Sequence, residues 1–443
     1  MSWLGGNARE LGADGLAFYE KCERLAPIVK GRAYIFPFYV VTGPALIEEI
    51  LVKQAKAFHK PGLLKGLRIL FGDGLLTADG EGWRHRRRLL QPLFHPSRQA
   101  AYGSEIRRGI AAKLASWDDG VVDVHEAVVD VCIGNLTRTL FGIDDAVLTA
   151  RIRALATLCH DITQAGMSFR FPYYGLLAMF PGLAHLSFGA RLRQLERSIV
   201  ERFKALRRGV ERDDFFARLL NGNDLDGCPM SARAVRDELV TMLLAGHETA
   251  AAATSWALYS LAQAPDVLAA LRAELDEVCG DALPAYEDLE NLPLLERVLL
   301  ETYRLYPPTH RIGRTVAEPV TIGGVELEVG AQVLMPQWAV QRSARHYREP
   351  LAFRPERWLA PEAKQLPRFA YFPFSGGPRV CIGQALVTME DALVLGSIVK
   401  SFDFALPEGV SIEPTEGLTL LPGAGHLPLE LRRRRSLAAS AAE

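Results

Sequence analysis

The chain has 443 residues, of which 49% are hydrophobic and 23% are charged. Such a composition supplies a large apolar core and excludes an intrinsically disordered chain. Lysine and arginine together number 51 and aspartate and glutamate 52, for a net charge of −1. This balance lacks the basic footprint of a nucleic-acid-binding protein, so we expect no nucleic acid partner.

Cysteine usage and the N-terminal segment indicate the compartment. The six cysteines are scattered without a close pair, so the sequence offers no CxxC zinc site or redox pair and favours a reducing environment. Residues 1–30 contain neither a signal-peptide core nor the ~18 consecutive apolar residues of a membrane span. We therefore expect a cytoplasmic monomer without a transmembrane segment.

The predicted elements begin with a polar N-terminal helix, a short strand over residues 33–42 and a helix over residues 45–53. Further along the chain, apolar residues recur at helical spacing and few segments alternate as strands do. The longest helical run, 231–264, has Ser231 as its predicted N-cap. A helix of that length measures about 50 Å and can cross a whole domain.

Prolines and glycines punctuate the last third of the chain. A predicted helix over residues 292–305 is ended by Pro307 and Pro308. Residues 315–333 have the glycines, valines and isoleucines of a small hairpin sheet. A third helix is predicted to begin at about Cys381 and to extend to about Lys400.

These elements favour one domain of the mainly α class with small β-sheets. The sequence shows no internal repeat, no low-complexity tract and no Gly/Ser linker. We therefore predict a single domain over residues 1–443, without a fused reductase. Its β-containing parts are predicted at about 30–60 and 315–360, and the remainder is predicted to be helical.

Common motifs of other chemistries are missing from the sequence. It contains no GxGxxG, no GxxxxGK[ST] and no GxSxG, which removes the usual support for dinucleotide, nucleoside-triphosphate and serine-hydrolase functions. His247 and Glu248 begin like the HExxH motif of zinc proteases, but position 251 is alanine and the second histidine is missing.

A glycine-rich segment leads into a single cysteine near the end of the chain. It extends from Phe374 to Gly383 and contains Arg379 and Cys381. The N–H groups of a first helical turn favour a thiolate at Cys381 and lower its pKa. Glycines let a flat ligand lie against the backbone, and Arg379 can reach an acidic group on it. A buried, inert cysteine beside an ordinary glycine turn explains the segment equally well.

The pattern FxxGxRxCxG resembles the haem-binding signature of the cytochrome P450 family, in which every signature position is matched. The resemblance implies that Cys381 is the proximal thiolate ligand of haem b iron. It also implies that Arg379 pairs with a haem propionate, that Phe374 shields the sulfur and that Gly383 belongs to the haem site. The implied fold is a triangular domain with the haem between the long central helix and the helix after the cysteine loop.

Two more segments resemble the family in the expected order. Glu301 and Arg304 match its ExxR motif and, three residues apart, share a helix face. Arg357 belongs to a segment similar to the PERF motif, with Trp358 in place of the usual phenylalanine. By this resemblance Glu301, Arg304 and Arg357 form a structural network; the alternative for the first two is a surface ion pair.

Three further residues resemble haem-propionate partners of the family. Trp83 and Arg87 fit its WxxxR motif, and four residues apart on a helix they face the same way. Arg314 occupies a position where many members have a propionate-binding arginine; its alternative role is solvation at a strand edge. His85 lies off the face of Trp83 and Arg87, so we interpret it as a surface residue.

The long predicted helix carries a segment that resembles the oxygen-activation motif of the family. It extends from Ala245 to Ala250, where many members have a second threonine or serine at the last position. The resemblance implies that Ala245 and Gly246 leave space at the haem, that Thr249 hydrogen-bonds dioxygen or its water and that Glu248 supplies protons. The alternative is that Thr249 bonds back to the Ala245 carbonyl and that Glu248 caps a bend.

The resemblance implies a haem-thiolate monooxygenase that hydroxylates or epoxidises a lipophilic small molecule with O2. The two electrons are expected from a separate ferredoxin or flavodoxin with an NAD(P)H-dependent reductase, and Arg84, Arg86 and Arg88 are candidates for docking it. The apolar stretch 167–184 fits a terpenoid, fatty-acid or polyketide substrate or simple helix packing. A haem-thiolate isomerase or dehydratase and a non-enzymatic haem sensor are the alternatives.

A pair of residues that follows the predicted helix 292–305 is a candidate for substrate contact. His310 and Arg311 could anchor a carboxylate or hydroxyl group of a substrate, or could point to solvent.

Overall fold

Helices are the predominant elements of the computed structural model, which describes residues 6–62, 68, 72–142, 146–147, 149–154, 157, 215–359 and 361–434. The apolar stretch 167–184 lies outside the described residues. The helices are α1 (Ala8–Ala13), α2 (Gly15–Leu25), α3 (Pro44–Glu48), α4 (Gly80–Leu90), α5 (Gln99–Leu114), α6 (Val124–Thr139), α7 (Phe215–Leu220), α8 (Ala232–Gly246), α9 (Glu248–Ala262), α10 (Pro265–Cys279), α11 (Pro293–Leu305), α12 (Gln337–Val340), α13 (Pro361–Gln365) and α14 (Gln384–Ser401).

Short strands form small sheets beside these helices. The strands are β1 (Ile28–Ala33), β2 (Phe36–Val41), β3 (Phe58–His59), β4 (Gly120–Asp123), β5 (Ile312–Val316), β6 (Val320–Ile322), β7 (Val325–Leu327), β8 (Gln332–Met335), β9 (Phe402–Ala405), β10 (Pro414–Thr415), β11 (Leu421–Pro422) and β12 (Pro428–Arg433). The largest sheet has the order β1-β2-β8-β5-β3, in which only β2 and β8 pair in parallel.

The remaining strands form the sheet β4-β12-β9 and the hairpins β6–β7 and β10–β11. The hairpin sheet predicted at 315–333 is therefore present, although its last strand pairs into the large sheet. The strand predicted at 33–42 is β2 preceded by a turn, since Tyr34 has a φ of 55° and reverses the chain after β1.

The central helix predicted as one element is two helices, α8 and α9, that meet at His247. Ser231 caps the first of them, as predicted, by accepting a hydrogen bond from the Ala234 amide at 3.2 Å. At the junction the His247 ring lies 2.6 Å from the Leu243 carbonyl and the Thr249 hydroxyl donates to the Ala245 carbonyl at 2.8 Å. These side chains compete with the helical ladder and explain the break.

The helix after the cysteine starts later than predicted. α14 begins at Gln384, three residues beyond Cys381, because Val380 is extended (φ −53°, ψ 147°) and ends a short turn of 3-10 helix at Gly377–Arg379. Gly377 has a φ of +67°, and a Cβ atom there would lie 1.9 Å from the Leu51 carbonyl oxygen. Only glycine fits this turn.

The core lies around α9, which is buried almost all round and packs against α6, α11 and α14. Trp256 of α9 is fully buried and stacks on Tyr306 with ring centres 4.1 Å apart. Among the helices of the described chain, none has both the length and the apolar composition of a membrane span.

Candidate active site

The cysteine loop is closed by its own backbone. The Cys381 amide donates to the Phe374 carbonyl at 3.0 Å, and the amides of Gly383 and Gln384 point at the Cys381 sulfur. Burial raises the pKa of the thiol and outweighs these amides and the nearby Arg87, contrary to the lowering expected from the sequence. The side chain is nevertheless exposed, a combination expected of a group on the wall of a deep recess.

Neighbouring aromatic rings support the loop on both sides. The Phe374 ring meets the buried Tyr303 ring edge to face, with centroids 5.4 Å apart. At Gly383 the nearest atom to an added Cβ would be a Phe94 ring carbon at 3.6 Å. Gly383 is therefore not forced by crowding from the protein itself, which is consistent with a role in making room for a ligand.

Positive charge gathers beside this loop in a group that we call the cation cluster: Lys60, Arg314 and Arg379, with Asp79. Asp79 caps α4 and also accepts hydrogen bonds from the Lys60 amide, at 3.0 Å, and from the Arg379 guanidinium. Burial, together with Arg379 and Arg314, lowers the pKa of the Lys60 amine to about 7. Burial and Arg379 lower the pKa of Arg314 to about 10.

The cation cluster holds more positive than negative charge, and its donors are incompletely used. Nη1 of Arg379 is buried without a hydrogen-bond partner among the described residues. Within the part of the chain that the structure describes, Arg314 donates only to its neighbour, the Gly313 carbonyl, at 2.8 Å. Because buried cations are costly unless paired, this arrangement is suited to an anionic ligand.

Helix α4 lies against the same loop. The Arg379 guanidinium stacks on the Trp83 ring at 4.5 Å, and Arg87 donates to the Val380 carbonyl at 2.6 Å. The structure thus brings both predicted residues of α4 to the cysteine loop.

The other arginines of α4 differ from one another. Arg86 is not available for docking a partner, since it pairs with the buried Glu238 at 2.9 Å. Arg84 and Arg88 are exposed, and Arg84 pairs with Glu81.

The junction of α8 and α9 combines an exposed residue with close helix packing. Ala245 is exposed although its helix lies in the core. Gly246 serves a different purpose from the one expected, because a Cβ atom there would lie 3.1 Å from the Leu136 side chain of α6. It permits close packing of two helices. The Glu248 carboxylate accepts a hydrogen bond from the Thr419 hydroxyl at 2.6 Å.

His310 and Arg311 do not point to solvent. Arg311 donates to the Glu416 carboxylate at 2.6 Å, and the buried His310 ring lies 3.1 Å from the same oxygen. The residue before them, Thr309, is exposed between buried neighbours. Thr309, and not the two candidates from the sequence, is the side chain of this segment that faces open space.

The predicted structural network is present, and we call it the core network: Glu301, Arg304, Arg357 and Trp358. Glu301 and Arg304 are fully buried and form a bidentate ion pair at 2.8 and 2.9 Å. Arg357 adds a bond to Glu301 at 3.2 Å. The Trp358 indole N–H donates to the same carboxylate at 3.1 Å, a contact that phenylalanine could not make.

Comparisons with known proteins agree with this geometry. The family model described as Cytochrome P450 matches residues 3–428. The chain belongs to the cytochrome P450 family.

Named relatives and a solved structure extend this result. Cyclooctatin synthase of Streptomyces melanosporofaciens is 32% identical over 95% of this chain and 92% of its own length. Pentalenene oxygenase of Streptomyces avermitilis is 27% identical, covering 92% and 91%. The crystal structure of the cytochrome P450DA heme domain superposes with a TM-score of 0.83 at 23% identity, over 98% of this chain and 97% of that one.

This cytochrome P450 is an oxidoreductase of the monooxygenase type, and its cofactor is haem. The described residues fit that cofactor. The exposed Cys381 sulfur is a suitable iron ligand, and the excess charge of the cation cluster matches the two carboxylates of haem b. Gly383 leaves space, since the nearest protein atom to an added Cβ would be 3.6 Å away.

Several residues of this P450 site were not anticipated from the sequence. Lys60, Asp79 and Glu416 lie outside the recognised motifs, and no local pattern marks them. The only hint for Asp79 is its place before a helix, which is typical of an N-cap and says nothing about Arg379, 300 residues away.

Proposed function

We propose that this P450 hydroxylates or epoxidises an apolar terpenoid with O2 and two electrons from a separate ferredoxin or flavodoxin and its NAD(P)H-dependent reductase. The observation that carries the proposal is the cation cluster beside an exposed cysteine, because together they fit haem b. The terpenoid class rests on relatives that oxidise terpenoids at about 30% identity. The small, uncharged side chains of Ala245 and Thr309 are compatible with an apolar ligand.

The cysteine loop and the cation cluster hold the cofactor in this proposal. When bound, haem supplies the iron at which O2 is activated, and a thiolate ligand favours cleavage of the O–O bond. Cys381 provides that thiolate, and the amides of Gly383 and Gln384 hold its sulfur. Arg314 and Arg379 would pair with the propionates, and Trp83 and Arg87 would hold the cysteine loop through their contacts with Arg379 and the Val380 carbonyl.

Thr249 and Glu248 handle protons in this proposal. The Thr249 hydroxyl donates to the Ala245 carbonyl, so the alternative contact considered for it does exist. A hydroxyl that donates once still offers two lone pairs. Thr249 can therefore accept a hydrogen bond from water while its own hydroxyl continues to donate to the Ala245 carbonyl. Glu248, the neighbouring carboxylate, passes protons to such a water in this proposal.

Removing the Thr249 hydroxyl tests this assignment. Thr249→Ala and Thr249→Val should still bind substrate and consume NAD(P)H, but should release more hydrogen peroxide and less hydroxylated product, since proton delivery is disturbed. Product and peroxide are measured per NAD(P)H oxidised. If both variants stay as tightly coupled as the parent protein, Thr249 is only a helix residue and proton delivery rests on other groups.

Substrate class and reaction type can be tested together. The haem-loaded protein is titrated with terpene hydrocarbons, terpene alcohols and fatty acids while the Soret band is followed, and compounds that shift the band are then incubated with ferredoxin, reductase and NAD(P)H. We expect terpenes to shift the band and to gain one oxygen atom from isotopically labelled O2. Binding of fatty acids alone contradicts the substrate class. Unlabelled isomerised or dehydrated products contradict monooxygenation, and no turnover at all would favour a sensor.

The proposal for the electron donor involves the exposed arginines of α4. Arg84 and Arg88 lie on the helix whose other face contacts the cysteine loop, which gives an acidic partner a short path to the haem. Arg84→Glu and Arg88→Glu should slow electron transfer from the ferredoxin while leaving substrate affinity unchanged, as measured by stopped-flow reduction. Unchanged reduction rates would place the docking surface elsewhere.

A further inference from the structure

A short hydrogen bond joins two residues that are 171 positions apart in the sequence. The Thr419 hydroxyl donates to the Glu248 carboxylate at 2.6 Å. This distance falls in the range of about 2.5–2.7 Å that is typical of hydroxyl groups bonded to an ionised acceptor. Thr419 is only 3% exposed, so the contact is shielded from competing water.

The backbone on one side of Thr419 is fixed to the core. The Leu420 amide donates to the Pro308 carbonyl at 2.8 Å. The Leu420 carbonyl accepts from the indole N–H of the fully buried Trp256 at 2.9 Å. Trp256 belongs to α9, the helix that begins at Glu248. The position of Thr419 is therefore set relative to the same helix that carries its partner.

The other side of Thr419 is anchored by charge. Glu416 receives the Arg311 guanidinium at 2.6 Å and lies 3.1 Å from the His310 ring. It also packs so closely on α2 that a Cβ atom at Gly15 would lie 2.3 Å from its carboxylate. The segment Glu416–Leu420 is thus held at both ends, and the Thr419 hydroxyl is a fixed donor.

Glu248 has the longer side chain of the two. Its side chain has three rotatable bonds, whose freedom favours many orientations over one. We propose that Thr419 is the positioning residue for Glu248, holding its carboxylate at one place beside the junction of α8 and α9. This inference rests on the proton-supplying role proposed above for Glu248. Thr419 itself contacts neither substrate nor cofactor in this proposal.

The size of the effect follows from the strength of the contact. A hydrogen bond to a charged group changes the ratio of bonded to unbonded side-chain orientations by roughly tenfold or more. Loss of the hydroxyl removes this hydrogen bond from the Glu248 carboxylate, and we expect protons to arrive less often where they are needed. Reducing equivalents should then appear as hydrogen peroxide while haem binding and substrate binding stay as they were.

The first experiment compares three variants of the haem-loaded enzyme. Thr419→Val removes the hydroxyl at nearly constant shape, Thr419→Ser keeps it, and Thr415→Val removes a hydroxyl from β10 that bonds the Ala424 amide and not Glu248. We expect Thr419→Val to lower product per NAD(P)H by about three- to tenfold. Thr419→Ser and Thr415→Val should match the parent, and all three should keep its Soret band and substrate affinity. Full coupling in Thr419→Val overturns the inference.

A double-mutant cycle with Glu248→Gln separates positioning from general support of the fold. If Thr419 acts through Glu248, adding Thr419→Val to Glu248→Gln should cause no further loss of coupling. A further loss equal to that in the parent background overturns the inference and leaves the role of Glu248 intact. Full coupling in Glu248→Gln alone instead contradicts the proposed proton role, and the positioning role with it.

The same four proteins provide a readout that does not depend on turnover. Their thermal unfolding midpoints should be non-additive, because the two side chains share one hydrogen bond. Additive midpoints would show that the contact does not form, and would overturn the inference even if Glu248→Gln is uncoupled.

Discussion

The core network and the cation cluster both place arginines out of bulk solvent, but they solve the problem of buried charge differently. In the core network the guanidinium of Arg304 is matched by the Glu301 carboxylate, and its remaining donors reach the carbonyls of Gln341, Pro350 and Ala352. In the cation cluster the Asp79 carboxylate accepts from the Arg379 guanidinium, whereas the Lys60 amine donates to the Leu75 and Leu76 carbonyls. Arg379 also retains a buried N–H without a protein partner among the described residues.

This difference distinguishes a structural site from a binding site. A buried charge that the protein pairs completely holds segments of the chain together and needs nothing else. A buried group with surplus charge raises the free energy of the folded protein until a ligand supplies the opposite sign. Arginine therefore supports the fold at position 304, and we propose that it supports cofactor binding at positions 314 and 379.

The largest effect is expected at Cys381, the proposed thiolate ligand in the same loop as Arg379. Cys381→Ser and Cys381→His should abolish the long-wavelength Soret band of the reduced carbon-monoxide adduct, because that band requires a thiolate ligand. The measurement is the difference spectrum of the purified protein. Retention of the band in Cys381→Ser would exclude Cys381 as the ligand, and another cysteine would have to be considered.

Breaking the core network should cost stability and not chemistry. Glu301→Ala or Arg304→Ala leaves a buried charge without its partner, at a cost of about 3–5 kcal/mol out of a typical 5–15 kcal/mol. Little folded, haem-loaded protein should be recovered.

The matched control for this prediction is Arg354→Ala in the same region. The Arg354 side chain is exposed and pairs with Glu349 and Glu356, so its loss should cost less than about 1 kcal/mol. Chemical denaturation of each variant gives the comparison. Well-folded Glu301→Ala holoprotein with selectively impaired turnover would contradict a structural role.

Breaking the cation cluster should have the opposite signature. Arg314→Met or Arg379→Met removes one charged partner of a propionate, a loss of about 1.5–3 kcal/mol or roughly 10- to 100-fold in haem affinity. The rate of haem transfer to excess apomyoglobin measures this loss.

Arg272→Met serves as the control, because Arg272 pairs with Asp403 at 3.0 Å outside the cluster. The fold should remain intact in all three variants, as judged by circular dichroism. Unchanged haem release in both cluster variants would show that the surplus charge serves another ligand.

The smallest effect is expected from a substitution that removes a single hydrogen bond of the core network. Trp358→Phe removes one donor from Glu301, which keeps Arg304, Arg357 and the Arg354 amide. We expect a loss of about 1 kcal/mol, because the remaining donors still satisfy the carboxylate. The midpoint of thermal unfolding should fall slightly with unchanged spectra. An unchanged midpoint would show that the indole donor is redundant.

Local sequence patterns were sufficient to predict the structure wherever the interacting residues are neighbours on one helix, strand or turn. The spacing of Glu301 and Arg304 on one helix face, the N-cap at Ser231 and the end of α11 before its prolines all follow from helix geometry and backbone chemistry. The glycine turn before Cys381 follows from its residue types in the same way. The mainly α fold with small sheets was also predicted from periodicity and resemblance.

Contacts between distant segments were decided by tertiary packing. The pairing of Arg86 with Glu238 and the use of Gly246 to admit α6 depend on which helices meet, and no local pattern encodes that choice. The bond between Thr419 and Glu248 and the sharing of Asp79 by Lys60 and Arg379 are of the same kind. Side chains far apart in sequence become neighbours only when the core has formed. Burial then removes the water that would otherwise hydrogen-bond their polar groups, so these groups must bond to one another.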